Sequence, residues 1–212
     1  ARRGRLPSLI PSFPLPNVVL FPSVFLPLHI FEPRYRQMLS DALQGDRIIG
    51  MVLVKQRQPR PAEPPDFYPV GCAGLISHAE TLPDGRSNII LRGMQRFRVG
   101  WEEQGRVYRR AHIEPLAEIA TDAIRHDVRA ARSKLEALLR GRLEMTGGEA
   151  MVPGDMNDAD LINALAQYLD LDPVEKQALL ERDDIAQRSL ALIELIEMRA
   201  LTTQPLGDLG LQ

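Results

Sequence analysis

The side chains that could perform covalent or acid–base chemistry are few in this chain and poorly spaced for it. His29, His78, His112 and His126 are scattered, without the short spacings that bring two ligands to one metal ion, and a lone cysteine, Cys72, cannot build a thiolate zinc site. Cys72 and His78 fall in one predicted strand, where a rise of ~3.3 Å per residue sets them about 20 Å apart, beyond the reach of a nucleophile and its base. Lys134 and Lys176 lie on predicted amphipathic helices and Lys55 ends a strand. None is expected in the desolvated setting that a lysine base needs near neutral pH. The chain holds no G-x-x-x-x-G-K-S/T phosphate loop and no G-x-S-x-G elbow. No catalytic residue, no metal and no cofactor is expected.

What remains suits binding. Arg92, Arg96 and Arg98 alternate along a predicted strand, so all three are expected on one face. That row would take phosphate or an acidic peptide, or serve only as a solvated face. Glu32, Arg34 and Arg36 gather at a helix start, where Glu32 and Arg36 stand at i, i+4 and can pair across one turn. The functional alternative is an arginine that grips a substrate carboxylate. Aromatic residues make up 5% of the chain, and Phe13, Phe21, Phe25 and Phe31 concentrate in its opening part, most of them expected in the core. Phe67 and Tyr68, followed by Phe25, are the candidate anchors for an extended peptide, held by edge-strand addition or by groove packing.

The elements that must position these residues begin at 14–39, PLPNVVLFPSVFLPLHIFEPRYRQML. Pro14, Pro16, Pro22 and Pro27 interrupt apolar runs, which predicts short strands at edges or bends and favours a small barrel. Glu32 then precedes Pro33 at the first helical position, and Tyr35, Met38, Leu39, Ala42 and Leu43 recur on one helix face that Gly45 ends.

This segment resembles the Lon N-terminal domain, the substrate-binding region of the ATP-dependent protease Lon, which also occurs as a free-standing bacterial protein. The resemblance is carried by Pro14-Leu15-Pro16, Leu20-Phe21-Pro22, Leu26-Pro27-Leu28, Ile30-Phe31-Glu32 and Arg34-Tyr35. Downstream, Val70 to Ile76 and Leu91 to Val99 resemble that family's central strands, the second with a Gly-x-x-Arg-Phe core at Gly93, Arg96 and Phe97. Ser23 departs from the pattern, which usually has glycine after Phe-Pro; serine does not adopt a positive-φ turn position cheaply. The resemblance implies an α+β protein: a PUA-like, bent, mostly antiparallel β-barrel with one inserted helix over residues 1–116, then a helical bundle over 117–212. It implies a non-catalytic module that binds unfolded or extended polypeptide, as an adaptor in protein quality control. The alternative is an RNA- or nucleic-acid-binding PUA-like protein.

Composition sets bounds on these readings. At 212 residues, 44% of them hydrophobic, the chain can bury a substantial core. Cys72 lies in an apolar run suited to a buried, inert thiol, and a single cysteine fits a reducing compartment. The opening ARRGRLPSL lacks an apolar signal region and no stretch has membrane-spanning length, so a cytoplasmic soluble protein is expected. Residues 1–116 carry 16 Lys and Arg against 10 Asp and Glu, a balance of +6, whereas 117–212 carry 10 against 18, a balance of −8. Two solvated surfaces of opposite sign explain this better than a basic nucleic-acid face, since no clustered basic stripe is present.

Predicted strands cover 47–54, 69–80, 86–92, 95–101 and 106–114, with Pro83-Asp84-Gly85 as a hairpin turn and the four-proline stretch 56–66 as an extended loop. From Thr121 the period changes to 3.6: Ile124, Val128, Ala131, Leu135 and Leu138 share a face to about Arg140. Gly147, Gly148, Pro153 and Gly154 mark a loop. Asn157 with Asp160 opens a helix bearing Leu161, Leu165, Tyr168 and Leu169, Asp172-Pro173 with Glu175 starts another, and Asp183 or Asp184 starts the last before the tail frays.

Overall fold

Residues 6–55, 66–146 and 156–203 are described by the computed structural model of the protein, and of 141–146 and 201–203 only the backbone. The expected 56–66 loop, except for Asp66, the expected loop at 147–154 and the fraying tail from residue 204 lie outside the described residues. In chain order the elements are β1 (Leu9–Leu15), β2 (Phe25–Ile30), α1 (Pro33–Gln44), β3 (Ile48–Leu53), β4 (Val70–Thr81), β5 (Ser87–Glu103), β6 (Arg110–Pro115), α2 (Asp122–Thr146), α3 (Asp158–Tyr168), α4 (Pro173–Leu180) and α5 (Ile185–Thr203). The protein is α+β, with one mixed six-stranded sheet in the order β2-β5-β4-β3-β1-β6. β1 runs parallel to β3, and every other pairing is antiparallel. A further pairing of β5 with β6 closes the sheet on itself and leaves β2 attached outside the ring.

That closure depends on the length and bend of β5. The two short strands expected at 86–92 and 95–101 are one strand of 17 residues, whose discontinuity is a bulge and not a break. Gln95 pairs with Ala73 while Gly93 pairs with Gly74, so Met94 is the extra residue. Gly93 has a structural reason to be glycine: a Cβ there would run into the carbonyl of Phe21. The first half of β5 pairs with β2, and its second half with β6. Inside the ring, Ile10, Val52, Ala73, Phe97, Ala111 and Ile113 form a buried cluster, with Phe97 fully enclosed.

Local signals set the helix and hairpin positions. Glu32 is the extended N-cap of α1 with Pro33 at its first position, and Tyr35, Met38, Leu39 and Ala42 are its buried face. Gly45 follows the helix at φ −107°, so the left-handed residue of this connection is Arg47, at φ 60°. The Arg47 guanidinium donates to the Ile76 carbonyl, which holds the turn. Gly85, at φ 80°, closes the β4–β5 hairpin, where Leu82 N–H donates to the Arg86 carbonyl.

The chain forms two compact units, and a single cut near residue 116 does not describe them. One unit comprises Ala1–Ala117 with Asn163–Glu181, and the other Glu118–Ile162 with Arg182–Gln212. The first includes α4 and most of α3 because buried amides tie those helices to strand and loop backbone. Gln167 Oε1 accepts from Phe21 N–H at 3.1 Å and its Nε2 donates to the Val19 carbonyl at 2.9 Å, while Gln177 Nε2 donates to the Val70 carbonyl at 2.9 Å. Glu175 accepts from the Asp172 N–H at 2.8 Å in the expected capping box. In the second unit Thr121 caps α2, Val128, Ala131 and Leu135 are buried, and the fully buried Arg188 of α5 pairs with Glu118 at 2.9 Å. No helix among the described residues is long and apolar enough to cross a membrane.

Candidate functional site

The outer face of β2 carries exposed apolar side chains on regular structure in the first unit. Along Phe25-Leu26-Pro27-Leu28-His29-Ile30 exposure alternates: Phe25, Pro27 and His29 face solvent, while Leu26, Leu28 and Ile30 turn inward. Phe25 is 51% exposed and Phe31, just past the strand, 60%. The His29 imidazole lies near-parallel to the Phe31 ring, with centroids 6.1 Å apart, and hydrogen-bonds Asn88 Oδ1 at 2.8 Å across the strand pair. Opposite Phe25 stands Arg92, also exposed, and the Tyr168 hydroxyl donates to the Phe25 carbonyl at 2.8 Å. Proline is tolerated here because β2 pairs on one side only.

Of the residues singled out by sequence, Phe25 and Arg92 are brought together as cross-strand partners. Phe67 and Tyr68 stand elsewhere, after β3. Phe67 packs against the buried cluster with the Arg109 guanidinium 4.3 Å from its ring centre, and Tyr68 has Lys55 at 5.8 Å. The row of three arginines is not kept. Arg92 and Arg98 are exposed, but Arg96 is 2% exposed and donates to the Leu180 carbonyl at 3.0 Å. The bulge at Met94 disrupts the alternation, and α4 covers the face on which Arg96 stands.

The cluster at the start of α1 is also rearranged. Glu32 pairs with Arg34 at 2.9 Å instead of with Arg36, whose guanidinium lies over Gly85. Tyr35 is buried, with its ring centre 4.4 Å from that of Phe13 and the Arg34 guanidinium at 4.5 Å; burial raises its phenol above the ordinary tyrosine range. Pro22 is buried beside the turn that meets Gly93. Phe13 and Phe21 are core, as expected, whereas Phe31 is not.

Sequence reasoning did not select Phe31, His29 or Tyr168 for the site, and the near-uniformly apolar run Phe25-Leu26-Pro27-Leu28-His29-Ile30 carries no alternation that would mark its exposed face. The same reasoning also passed over Trp101, 61% exposed and stacked on His112 at 3.8 Å. No signal marked that pair, because the register irregularity between Val99 and Glu102 brings it together.

The polar groups of the first unit are arranged as structural pairs. Asp41 accepts from the Tyr108 hydroxyl at 2.7 Å, from Arg106 at 3.0 Å and from Gln37 at 2.7 Å, beside a cavity of about 360 Å³ lined also by Ile10, Asp46 and Arg110. The Tyr108 hydrogen bond lowers the Asp41 carboxyl below its ordinary range, while burial and Asp41 push Tyr108 up to about 12. Both shifts lead away from neutral pH, where general acid–base work would need them. Cys72 is fully buried, and no cluster among the described residues has the ligands for a metal ion.

Comparison with known proteins points one way. A family model described as the ATP-dependent protease La (LON) substrate-binding domain matches residues 10–198. The chain is 28% identical over 203 residues to a Lon protease of Cytophaga hutchinsonii, covering 92% of this chain and 25% of that protein. It is 29% identical over 205 residues to a Lon protease of Trichlorobacter lovleyi, covering 91% and 24%. The chain thus spans about a quarter of the length of these curated relatives. Among solved structures, the N-terminal domain of Mycobacterium avium complex Lon protease superposes with a TM-score of 0.67 at 18% identity, covering 89% of this chain and 98% of that one. A Lon N-terminal domain protein from Xanthomonas campestris gives 0.56 at 21%, covering 93% and 99%.

Proposed function

The chain belongs to the family of the ATP-dependent protease La (LON) substrate-binding domain, and from that premise we propose that it binds unfolded polypeptide through the outer face of β2 and catalyses no reaction of its own. The observation that carries the reading is the two large aromatic side chains held in solvent at β2, Phe25 on the strand and Phe31 just past its end, with one side of the strand free. Exposed aromatics on rigid backbone are efficient anchors, because they bury much apolar area and lose few rotamers on binding. Arg92 beside Phe25 adds a cation to the same face. In this reading the closed sheet is a PUA-like barrel, and the protein serves as an adaptor or free-standing recognition module in protein quality control.

The test uses a reduced, carboxymethylated unfolded protein as probe. The full chain should retain it without cleaving it and without turning over ATP. The double variant Phe25→Ala/Phe31→Ala should weaken binding at least about tenfold, the scale of losing an aromatic anchor. Unchanged binding by that variant, or ATP turnover that a mutation in this chain abolishes, would refute the proposal. Affinity for RNA that falls steeply with salt, with no affinity for the unfolded protein, would favour nucleic-acid binding by the basic first half instead.

A further inference from the structure

We infer that β2 receives its polypeptide as an added strand along its open edge, and that Arg92 selects a carboxylate side chain on that strand. The inference rests on the polypeptide-binding reading and gives it a mode and a chemistry. Two hydrogen bonds orient the backbone of β2. Gly93 N–H donates to the Val24 carbonyl at 2.8 Å, which therefore faces β5, and by alternation from it the backbone groups of Leu26, Leu28 and Ile30 face β5 as well. In-plane direction alternates residue by residue, so the amides of Phe25, Pro27 and His29 point to the opposite edge. Tyr168 confirms the direction, since its hydroxyl reaches the Phe25 carbonyl at 2.8 Å from outside the sheet.

No strand among the described residues pairs with that edge. It offers the N–H of Phe25, the carbonyl of Pro27, and both the N–H and the carbonyl of His29. Pro27 supplies an acceptor but no donor, which interrupts the ladder, so a short segment can pair with His29 and beyond while long edge-to-edge association is discouraged. Tyr168 holds the carbonyl at the Phe25 end.

Side-chain chemistry identifies the occupant. The residues whose backbone faces the open edge, Phe25, Pro27 and His29, also carry the exposed side chains, so an added strand lies beside a largely apolar row. Arg92, cross-strand from Phe25, is exposed and has no carboxylate partner among the described residues. An extended segment with apolar side chains at alternate positions and an aspartate or glutamate in their row complements this surface in backbone, apolarity and charge.

The probe is a synthetic decapeptide alternating threonine and valine around a central glutamate, measured against the full chain by fluorescence anisotropy. Two further versions carry backbone N-methyl groups on alternate residues, one version for each phase of the strand. One phase should lose at least tenfold in affinity while the other binds like the parent, because only one set of N–H groups faces β2. Arg92→Glu should weaken the glutamate peptide and strengthen a version with lysine in its place, and the exchange controls for damage to the fold. Equal binding by both methylated versions, or an Arg92→Glu effect that ignores peptide charge, overturns the inference and leaves polypeptide binding intact. Failure of both the peptide and the unfolded protein to bind sinks the functional reading as well. A peptide-sensitive dimer in light scattering, pairing β2 with β2, would also overturn it.

Discussion

Replacing Ser23 by glycine should stabilise the protein. Ser23 stands at φ 64° in the turn that leads into β2, with its N–H donating to the Gly93 carbonyl at 2.9 Å, and its side chain is exposed. A left-handed conformation costs a residue with a Cβ roughly 1–2 kcal/mol. Glycine removes that cost but gives the unfolded chain more freedom, which takes back about 0.5–1 kcal/mol. The expected net gain is about 0.5–1 kcal/mol. At roughly 2–4 °C per kcal/mol for chains of this size, it corresponds to a rise in Tm of about 1–4 °C. The serine hydroxyl has no hydrogen-bond partner among the described residues. Ser23→Ala, which keeps the Cβ, should therefore leave stability nearly unchanged, and Ser23→Val should lower it through β-branched crowding. Calorimetry and urea titration of the four proteins give the comparison. A Ser23→Gly protein no more stable than Ser23→Ala would refute the reasoning, since it would mean that the turn bears no conformational cost.

Two more outcomes follow from buried polar contacts. Tyr108 titrates at about 12 in the folded state, above its ordinary value of 10.0, because burial and the Asp41 hydrogen bond favour the neutral phenol. A raised phenol contributes stability that is whole below pH 10 and is lost as pH climbs toward 12, so Tyr108→Phe should flatten the alkaline fall in Tm and remove one late step from the phenolate absorbance titration. Gln167→Leu should destabilise by about 2–4 kcal/mol in urea unfolding, because the Phe21 N–H and the Val19 carbonyl would both be left buried and unpaired.

Wherever the cause is local, the amino-acid order already contains the answer. The Glu32-Pro33 start of α1, its Tyr35, Met38, Leu39 and Ala42 face, the Gly85 hairpin and the Asp172–Glu175 cap all depend on neighbours within a turn or two. The burial of Cys72 within its apolar run was legible for the same reason. Arg96 was not, because its environment is set by a bulge in β5 and by a helix more than eighty positions away in the chain. Nor could the pattern reveal that Glu32 would turn to Arg34, since i, i+4 spacing permits a pair but does not exclude a nearer one.

For the site, composition and punctuation gave the expectation of gripping in place of catalysis, and the Pro22–Pro27 interruptions gave that of a short β2. Only the tertiary arrangement decided which side of β2 stays open. That depends on β5 being long enough to pair with β2 through one half and β6 through the other, which closes the ring and leaves β2 outside it. Edge and centre are properties of pairing between distant segments. A strand's own residues do not record which of its two sides will find a partner.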